Sequence, residues 1–360
     1  MGALDIRQRT VSTRQTFAEI GLASHAAAAP QRWCIITSEY PPIAGGVSDH
    51  TYLLARALAD AGDTVDVWTP PGDRPATEQP GVTVHVLSSC FELDALKELR
   101  SMLRVLPADT RVLVQYVPTS FGWRMMNLPF AWLLYTQRWR GLDIYFHEVG
   151  FVVSRRQRMR RNVAGVVHLA MNWLTVRSAA RVFVAIPEWE RRLRRLGLRS
   201  SDPDRLVTWV PVPSNVPDTA DPARVKAIRD ELRAYGASSI VGHFGTFGRY
   251  HMAILLPTIV RVLDDGAARV MLLIGRNSTS MRDALLAERP DLSSRIVATG
   301  GLEPPEVSAH VAACDVLLQP YDDGASARRG SLMAGLALAR PIVANRGFAT
   351  GAVFSQRRAV

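Results

Sequence analysis

Lysine is almost missing from this chain of 360 residues. It occurs only at Lys97 and Lys226, so the other 41 basic residues are arginine. Cysteine is scarce too: Cys34, Cys90 and Cys314 lie far apart, each in an apolar run. That spacing excludes a disulfide framework and a zinc site, and predicts buried thiols in a reducing cytoplasm. No apolar run reaches the roughly 18 residues that a spanning helix needs. The first 31 residues carry Arg7, Arg9 and Arg14 but no apolar core of a secretory signal, and read as a loose extension. Against these shortages, 48% of residues are hydrophobic and 21% charged, which excludes a disordered chain and allows more than one core.

The charge is local. Acids number 33 against 43 bases, a net +10. Residues 138–199 alone hold 14 arginines and four acids (Asp143, Glu148, Glu188 and Glu190), so this stretch accounts for the whole excess. The even spread of charge typical of a nucleic-acid binder is therefore absent. No helix-turn-helix, zinc-finger spacing or aromatic-glycine sheet signature accompanies the arginines. Arg155, Arg156, Arg158, Arg160 and Arg161 open a helical pattern near Trp123, Trp132, Trp139 and Trp173, a combination that suits an anionic membrane surface. A solvated arginine face over an ordinary core is the alternative.

Short apolar runs alternate with helical patterns from residue 33 onward. Strands are expected at 33–37, 64–69, 82–86, 112–116, 144–147 and 182–185, with helices such as 47–61, 92–104 and 155–176 between them. Apolar strands separated by helices predict a doubly wound parallel sheet. Segment 209–222 holds four prolines and reads as a linker. A second series follows, with strands at 240–244, 270–274, 296–299, 316–319 and 341–344. The expected organisation is an extension (1–31), a first α/β domain (32–208), the linker (209–222) and a second α/β domain (223–360). A cleft is expected between the strands' C-terminal edges.

Four loops at strand ends carry candidate chemistry. Gly45 and Gly46 follow the first strand and precede a helix whose N–H groups suit an anion, although a plain glycine turn has the same residues. His147 and Glu148 end the strand of DIYFHEVG, where a polar pair either meets a substrate or is a satisfied strand end. Gly245 follows another strand, and Arg249 can place a planar fork against phosphate oxygens. In the loop Tyr321 to Ser331, Ser326 is a candidate N-cap. Arg328 and Arg329 are expected in the first helical turn, where they oppose the helix dipole unless an anion sits there.

In this order and spacing the motifs resemble those of the family 4 glycosyltransferases, over about residues 33–351. Glu39-Tyr40-Pro41-Pro42 with Gly45, Gly46 and His50 is similar to the family's opening loop. His147-Glu148 is similar to its histidine-plus-acid, Gly245 and Gly275 to its donor-domain glycines, and 314–344 to its "AD-hydrophobic-P" to "G-x-P-V-V" span. The resemblance implies a GT-B architecture, two Rossmann-like domains facing across a cleft. It implies a nucleotide-diphosphate sugar held by the second domain, a lipid-linked or polysaccharide acceptor held by the first, retention of configuration, and no metal or other cofactor. His147 and Glu148 would be catalytic. Gly45, Gly46, Gly245, Arg249, Asp323, Ser326, Arg328, Arg329 and Ser331 would hold the donor.

The sequence departs from the family in three ways. No acid lies between Gly324 and Arg340, so the family's Glu-x7-Glu pair is missing, and Asp323 is the nearest substitute. Thr246 stands where an arginine is usual. The span after Ala344 is shorter than the family's closing helices, so the second domain is expected to be incomplete. The first reading is a transferase acting on a glycolipid or polysaccharide precursor, in the cytoplasm and peripheral on the inner membrane face. A non-catalytic, degenerate transferase that docks on a membrane or partner is the second. A nucleotide-sugar epimerase, the third, lacks a convincing set of acid and base carboxylates.

Overall fold

The computed structural model describes residues 29–155, 157–196, 207–234 and 236–356, without the side chains of residues 249–252 and 356. The predicted positions at Arg156 and residues 1–28 lie outside these residues, as does the side chain of Arg249.

The chain builds two parallel α/β sheets. In the first, β1 (Arg32–Thr37), β2 (Thr64–Thr69), β3 (Val82–Val86), β4 (Arg111–Tyr116), β5 (Leu142–Phe146), β6 (Ala179–Val184) and β7 (Val207–Trp209) lie in the order β3-β2-β1-β4-β5-β6-β7. All seven are parallel, with registers such as Ile36 opposite Val114 and Ile144 opposite Val182. The central strands β1, β4 and β5 are mostly apolar and buried beyond their first residues because helices cover both faces. On one face α1 (Gly46–Asp60) covers Ile35, Val67 and Leu113. On the other, α2 (Leu93–Val105), α3 (Leu128–Thr136) and α5 (Pro187–Arg194) close over Ile36, Val114, Phe146 and Val184. Asp143, buried in β5, is held by Arg111 of β4 at 2.8 Å and Arg181 of β6 at 2.7 Å. The long helix α4 (Met159–Ser178) leads from the β5 loop back to β6.

The second sheet has the order β10-β9-β8-β11-β12, from β8 (Ser239–Phe244), β9 (Arg269–Ile274), β10 (Ile296–Ala298), β11 (Val316–Leu318) and β12 (Ile342–Val343). One face packs on α6 (Pro222–Arg233), α9 (Pro304–Ala313) and α10 (Gly330–Ala337), the other on α7 (Arg249–Leu263) and α8 (Ser278–Glu288). The molecule is thus two Rossmann-like α/β domains in the GT-B arrangement. Each sheet reverses its strand order beside its first strand, between β1 and β4 and between β8 and β11. Open α/β sheets bind ligands at such crevices.

The sequence reading differs from the structure in four local ways. The helix expected over 155–176 begins at Met159, so residues 149–155, 157 and 158 precede it without helix. Strand β7 was not foreseen: its three residues run into the proline segment, which hides them. Helix α10 begins at Gly330 with Arg329 before it, so Arg328 and Arg329 precede the first turn. Ser326 therefore does not cap that helix; its carbonyl instead accepts the Arg329 N–H in a tight turn. Cys34 and Cys314 are buried as expected, with thiols pushed up to about 12 by burial, but Cys90 is exposed.

Candidate functional site

A cleft of about 350 Å³ opens between the domains, lined by Glu39, Gly46, His50, His147 and Glu148 of the first and by Arg328, Arg329 and Gly330 of the second. Its floor is the linker. The Val212 N–H donates to the Ala327 carbonyl at 3.0 Å, and Asn215 Nδ2 donates to Asp49 Oδ2 of α1 at 2.9 Å.

His147 follows β5 and is buried. Its backbone N–H donates to Tyr116 and its carbonyl accepts from the Trp189 indole at 2.9 Å, so strand pairing and an aromatic anchor fix it from both sides. Its Nε2 meets Gln115 Oε1 of β4 at 2.6 Å. That contact makes Nε2 the protonated nitrogen, provided the amide oxygen faces it. Burial, then the neighbouring His50 and Arg328, hold the His147 pKa well below the usual histidine range. Burial alone brings His50 down to about 4. Both rings, edge to face at 4.9 Å, are therefore neutral at physiological pH.

Glu148, the next residue, reaches across the cleft. Its Oε1 accepts from Arg328 Nη1 at 2.7 Å. Arg328 also donates to Asp323, which Arg329 grips from its other side. Burial opposes ionisation of Asp323, but the two guanidiniums prevail and hold its pKa below the ordinary value. Arg328 lies largely buried, with its guanidinium 6.0 Å from the Trp189 ring. The two arginines are thus not bare cations, and Asp323 is not a free carboxylate. All three belong to one network whose exposed end is Glu148.

The turn into α1 departs from expectation. The glycine loop was read as offering free helix N–H groups to a ligand anion. Instead, Glu39 Oε1 accepts from the N–H groups of Val47 and Ser48 at 3.1 Å each. An internal carboxylate fills the anion seat that the helix end provides. Burial raises the Glu39 pKa, working against those two donors. Gly45 makes this possible, since a Cβ there would lie 2.2 Å from Glu39 Oε1. Gly46 is different: it lines the cleft, and a Cβ there would meet nothing within 4 Å.

The other predicted residues are scattered. Gly245 ends β8 beside Gly275, whose φ of +137° brings it against the Gly245 carbonyl, so two strand ends meet backbone to backbone outside the cleft lining. Ser331 Oγ lies 2.9 Å from the Tyr321 hydroxyl, behind the arginines. Ser326 is buried with its hydroxyl unpartnered among the described residues. Sequence reasoning passed over Gln115, Glu39, His50 and Asn215 as site residues. A glutamine inside the apolar strand VLVQY was the one available signal for Gln115.

Several buried polar atoms around the cleft have no partner among the described residues: His50 Nδ1, Gln115 Nε2, Asn215 Oδ1 and Arg329 Nε. Buried polar groups are rarely left so, and a cluster of them at one opening marks a place for a polar ligand. Among the described residues no group of three or more His, Cys, Asp or Glu is placed to hold a metal ion.

Residues 45–207 match the family described as glycosyl transferase 4-like domain. No curated protein matches the chain. Solved structures share the fold at low identity. Sucrose-phosphate synthase from Thermosynechococcus elongatus is 17% identical, with a TM-score of 0.62 over 88% of this chain and 82% of that one. HepE from Anabaena, solved in complex with UDP-glucose, is 15% identical, with a TM-score of 0.59 over 88% and 81%. The catalytic domain of starch synthase IV from Arabidopsis thaliana, bound to ADP and acarbose, is 15% identical, with a TM-score of 0.55 over 89% and 84%.

Proposed function

We propose that this chain, with a glycosyl transferase 4-like domain in a GT-B frame, transfers a sugar from a nucleoside-diphosphate donor to a lipid-linked or polysaccharide acceptor, with retention of configuration. The supporting observation is the meeting of His147-Glu148 with Arg328 and Arg329 at one cleft, ringed by unpartnered polar atoms. In such a transfer the bond between the sugar carbon and the donor phosphate oxygen breaks. The acceptor oxygen takes the sugar, its proton passes to the departing phosphate, and the nucleoside diphosphate leaves. Negative charge grows on the leaving phosphate, where Arg328 and Arg329 stabilise it.

The diphosphate has to compete for Arg328 with Glu148, and for both arginines with Asp323. Binding therefore exchanges a protein carboxylate for a phosphate oxygen, and Glu148 is freed toward the sugar. Neutral His147, locked by Gln115, serves as a hydrogen-bonding group to the transferring sugar and not as a proton donor. Gly46 leaves room for the donor against the α1 turn. Two of the structures similar in fold, solved with UDP-glucose and with ADP, give the donor class its precedent.

A panel of nucleotide sugars supplied to the full chain, with release of nucleoside diphosphate as the readout, tests this reading. Release from at least one sugar that is lost in Arg328→Ala supports it. A folded chain that neither releases nor is thermally stabilised by any nucleoside diphosphate would favour the non-catalytic reading.

A further inference from the structure

The first domain turns an apolar face outward. Along α4, Met159, Val163, Val166, Leu169 and Trp173 are all exposed, Met159 by 82% and Val166 by 57%. Their spacing places them on one stripe of the helix. Met171 and Leu174 of the same helix pack against Ala131 of α3. A helix normally buries its apolar stripe, and here a second one is left in the open.

The patch does not stop at α4. Trp132 of α3 is 56% exposed, and its ring lies 5.5 Å from Tyr135, which stacks 6.4 Å from Trp173. Val152 and Val153, also exposed, come from the loop that carries His147 and Glu148 into α4. The apolar surface thus starts ten residues or fewer from the cleft. A continuous exposed apolar surface of this kind marks a contact site.

The charge around it indicates what makes the contact. Segments 110–142 and 149–187, which contain both helices, have no aspartate or glutamate. Three cations elsewhere in the arginine-rich stretch are paired, Arg181 with Asp143, Arg191 with Glu188 and Arg194 with Glu190. No ion pair among the described residues holds Arg155, Arg158, Arg160 or Arg161. Arg177 lies over the Trp173 ring at 4.3 Å, and Arg161 over Phe151 at 4.8 Å. Aliphatic and indole groups inside an acid-free arginine rim are complementary to a lipid surface with anionic headgroups, where indoles and guanidiniums sit at the interface.

We propose that α3, α4 and residues 149–155 form a docking face for an anionic lipid bilayer, lying in its interface with the stripe from Met159 to Trp173 immersed. No helix among the described residues is long and apolar enough to cross a membrane, so the contact is peripheral. The inference rests on this face and not on the transfer reaction.

The test is co-sedimentation of the full chain, without donor or acceptor, with phosphatidylcholine vesicles with and without phosphatidylglycerol. The expected result is binding to the anionic vesicles that weakens with added salt. Arg158→Glu/Arg160→Glu/Arg161→Glu should weaken it about 100-fold or more. Met159→Ser/Val163→Ser/Val166→Ser, at exposed sites, should weaken it about tenfold or more while the thermal midpoint stays within a few degrees. Equal binding to both vesicle types, binding to neither, or no effect of the serine variant would overturn the proposal. So would a dimer in light scattering that the serine variant dissolves, because the occupant would then be a second copy.

Discussion

Glu148 and Arg328, 180 positions apart in the chain, close a 2.7 Å ion pair across the cleft, and Arg328 binds Asp323 at the same time. One guanidinium therefore ties the loop after β5 to the loop after β11. Its two carboxylates differ: the Glu148 side chain is 39% exposed and that of Asp323 only 5%.

That difference sets the first prediction. Glu148→Gln removes a solvent-screened partner and should cost less than about 1 kcal/mol of stability. Nucleoside diphosphate should bind as tightly or more tightly, because a competing anion is gone, while sugar transfer slows at least about tenfold. Arg328→Ala instead leaves Asp323 with a single partner and should cost about 3 kcal/mol. Titration calorimetry paired with turnover separates the two. Weaker diphosphate binding in Glu148→Gln would show that Glu148 does not compete with the ligand.

The glycine pair predicts opposite outcomes for one chemical change. Gly45→Ala pushes the Glu39 carboxylate off the α1 turn and should lose about 1 kcal/mol, the worth of a helix cap. Gly46→Ala meets no atom and should leave the thermal midpoint unchanged, but its methyl protrudes into the cleft and should weaken donor binding. Thermal unfolding and nucleotide titration of both variants check this. Equal destabilisation would mean that Glu39 does not depend on Gly45.

Much of this arrangement was legible before the fold was known, and the limit is physical. The apolar runs of β1, β4 and β5 announced a two-sided parallel sheet because strands buried on both faces need no alternation. His147-Glu148 stood out because polar residues that end such strands must lie at the sheet's edge, and Arg328-Arg329 because two arginines beside a helix start oppose its dipole. What stayed hidden was pairing at a distance. Glu39 was visible in its motif, but nothing local says that its carboxylate folds back eight residues onto Val47. Gln115 looked like an interruption of an apolar strand until β4 and β5 came side by side. Whether the apolar residues of α4 met a membrane or an ordinary core stayed open, since a helix apolar on two faces does not say which one is covered.

His50 predicts a pH dependence. Unfolded, it takes up a proton near 6.5; folded, burial delays this to about 4. The unfolded chain thus binds the extra proton across that window. The contribution of His50 is constant above it, and stability falls by about 3 kcal/mol as pH drops through it. His147 acts with the same sign, while Glu39, whose pKa is raised, acts with the opposite one. The His50 share is therefore the difference between wild type and His50→Asn in denaturant unfolding at pH 7 and pH 4.5. Parallel curves would show that the ring protonates freely in the fold.

Gln115 is predicted to be a positioning residue. Gln115→Leu takes the partner from the buried His147 Nε2. The transfer rate should fall about tenfold with donor KM nearly unchanged, because the ring loses its orientation and the arginines do not. Gln115→Glu, which keeps an acceptor oxygen there, should recover part of the rate. A loss confined to KM would place Gln115 in donor binding.

The account turns on Arg328 as the group that exchanges Glu148 for a donor phosphate. Titration calorimetry of nucleoside diphosphates into wild type, Arg328→Ala and Glu148→Gln measures this directly. The account predicts that at least one diphosphate binds wild type, that Arg328→Ala loses this affinity while still folded, and that Glu148→Gln keeps or strengthens it. A diphosphate that binds Arg328→Ala as tightly as wild type, or no diphosphate bound by any of the three folded chains, would contradict it.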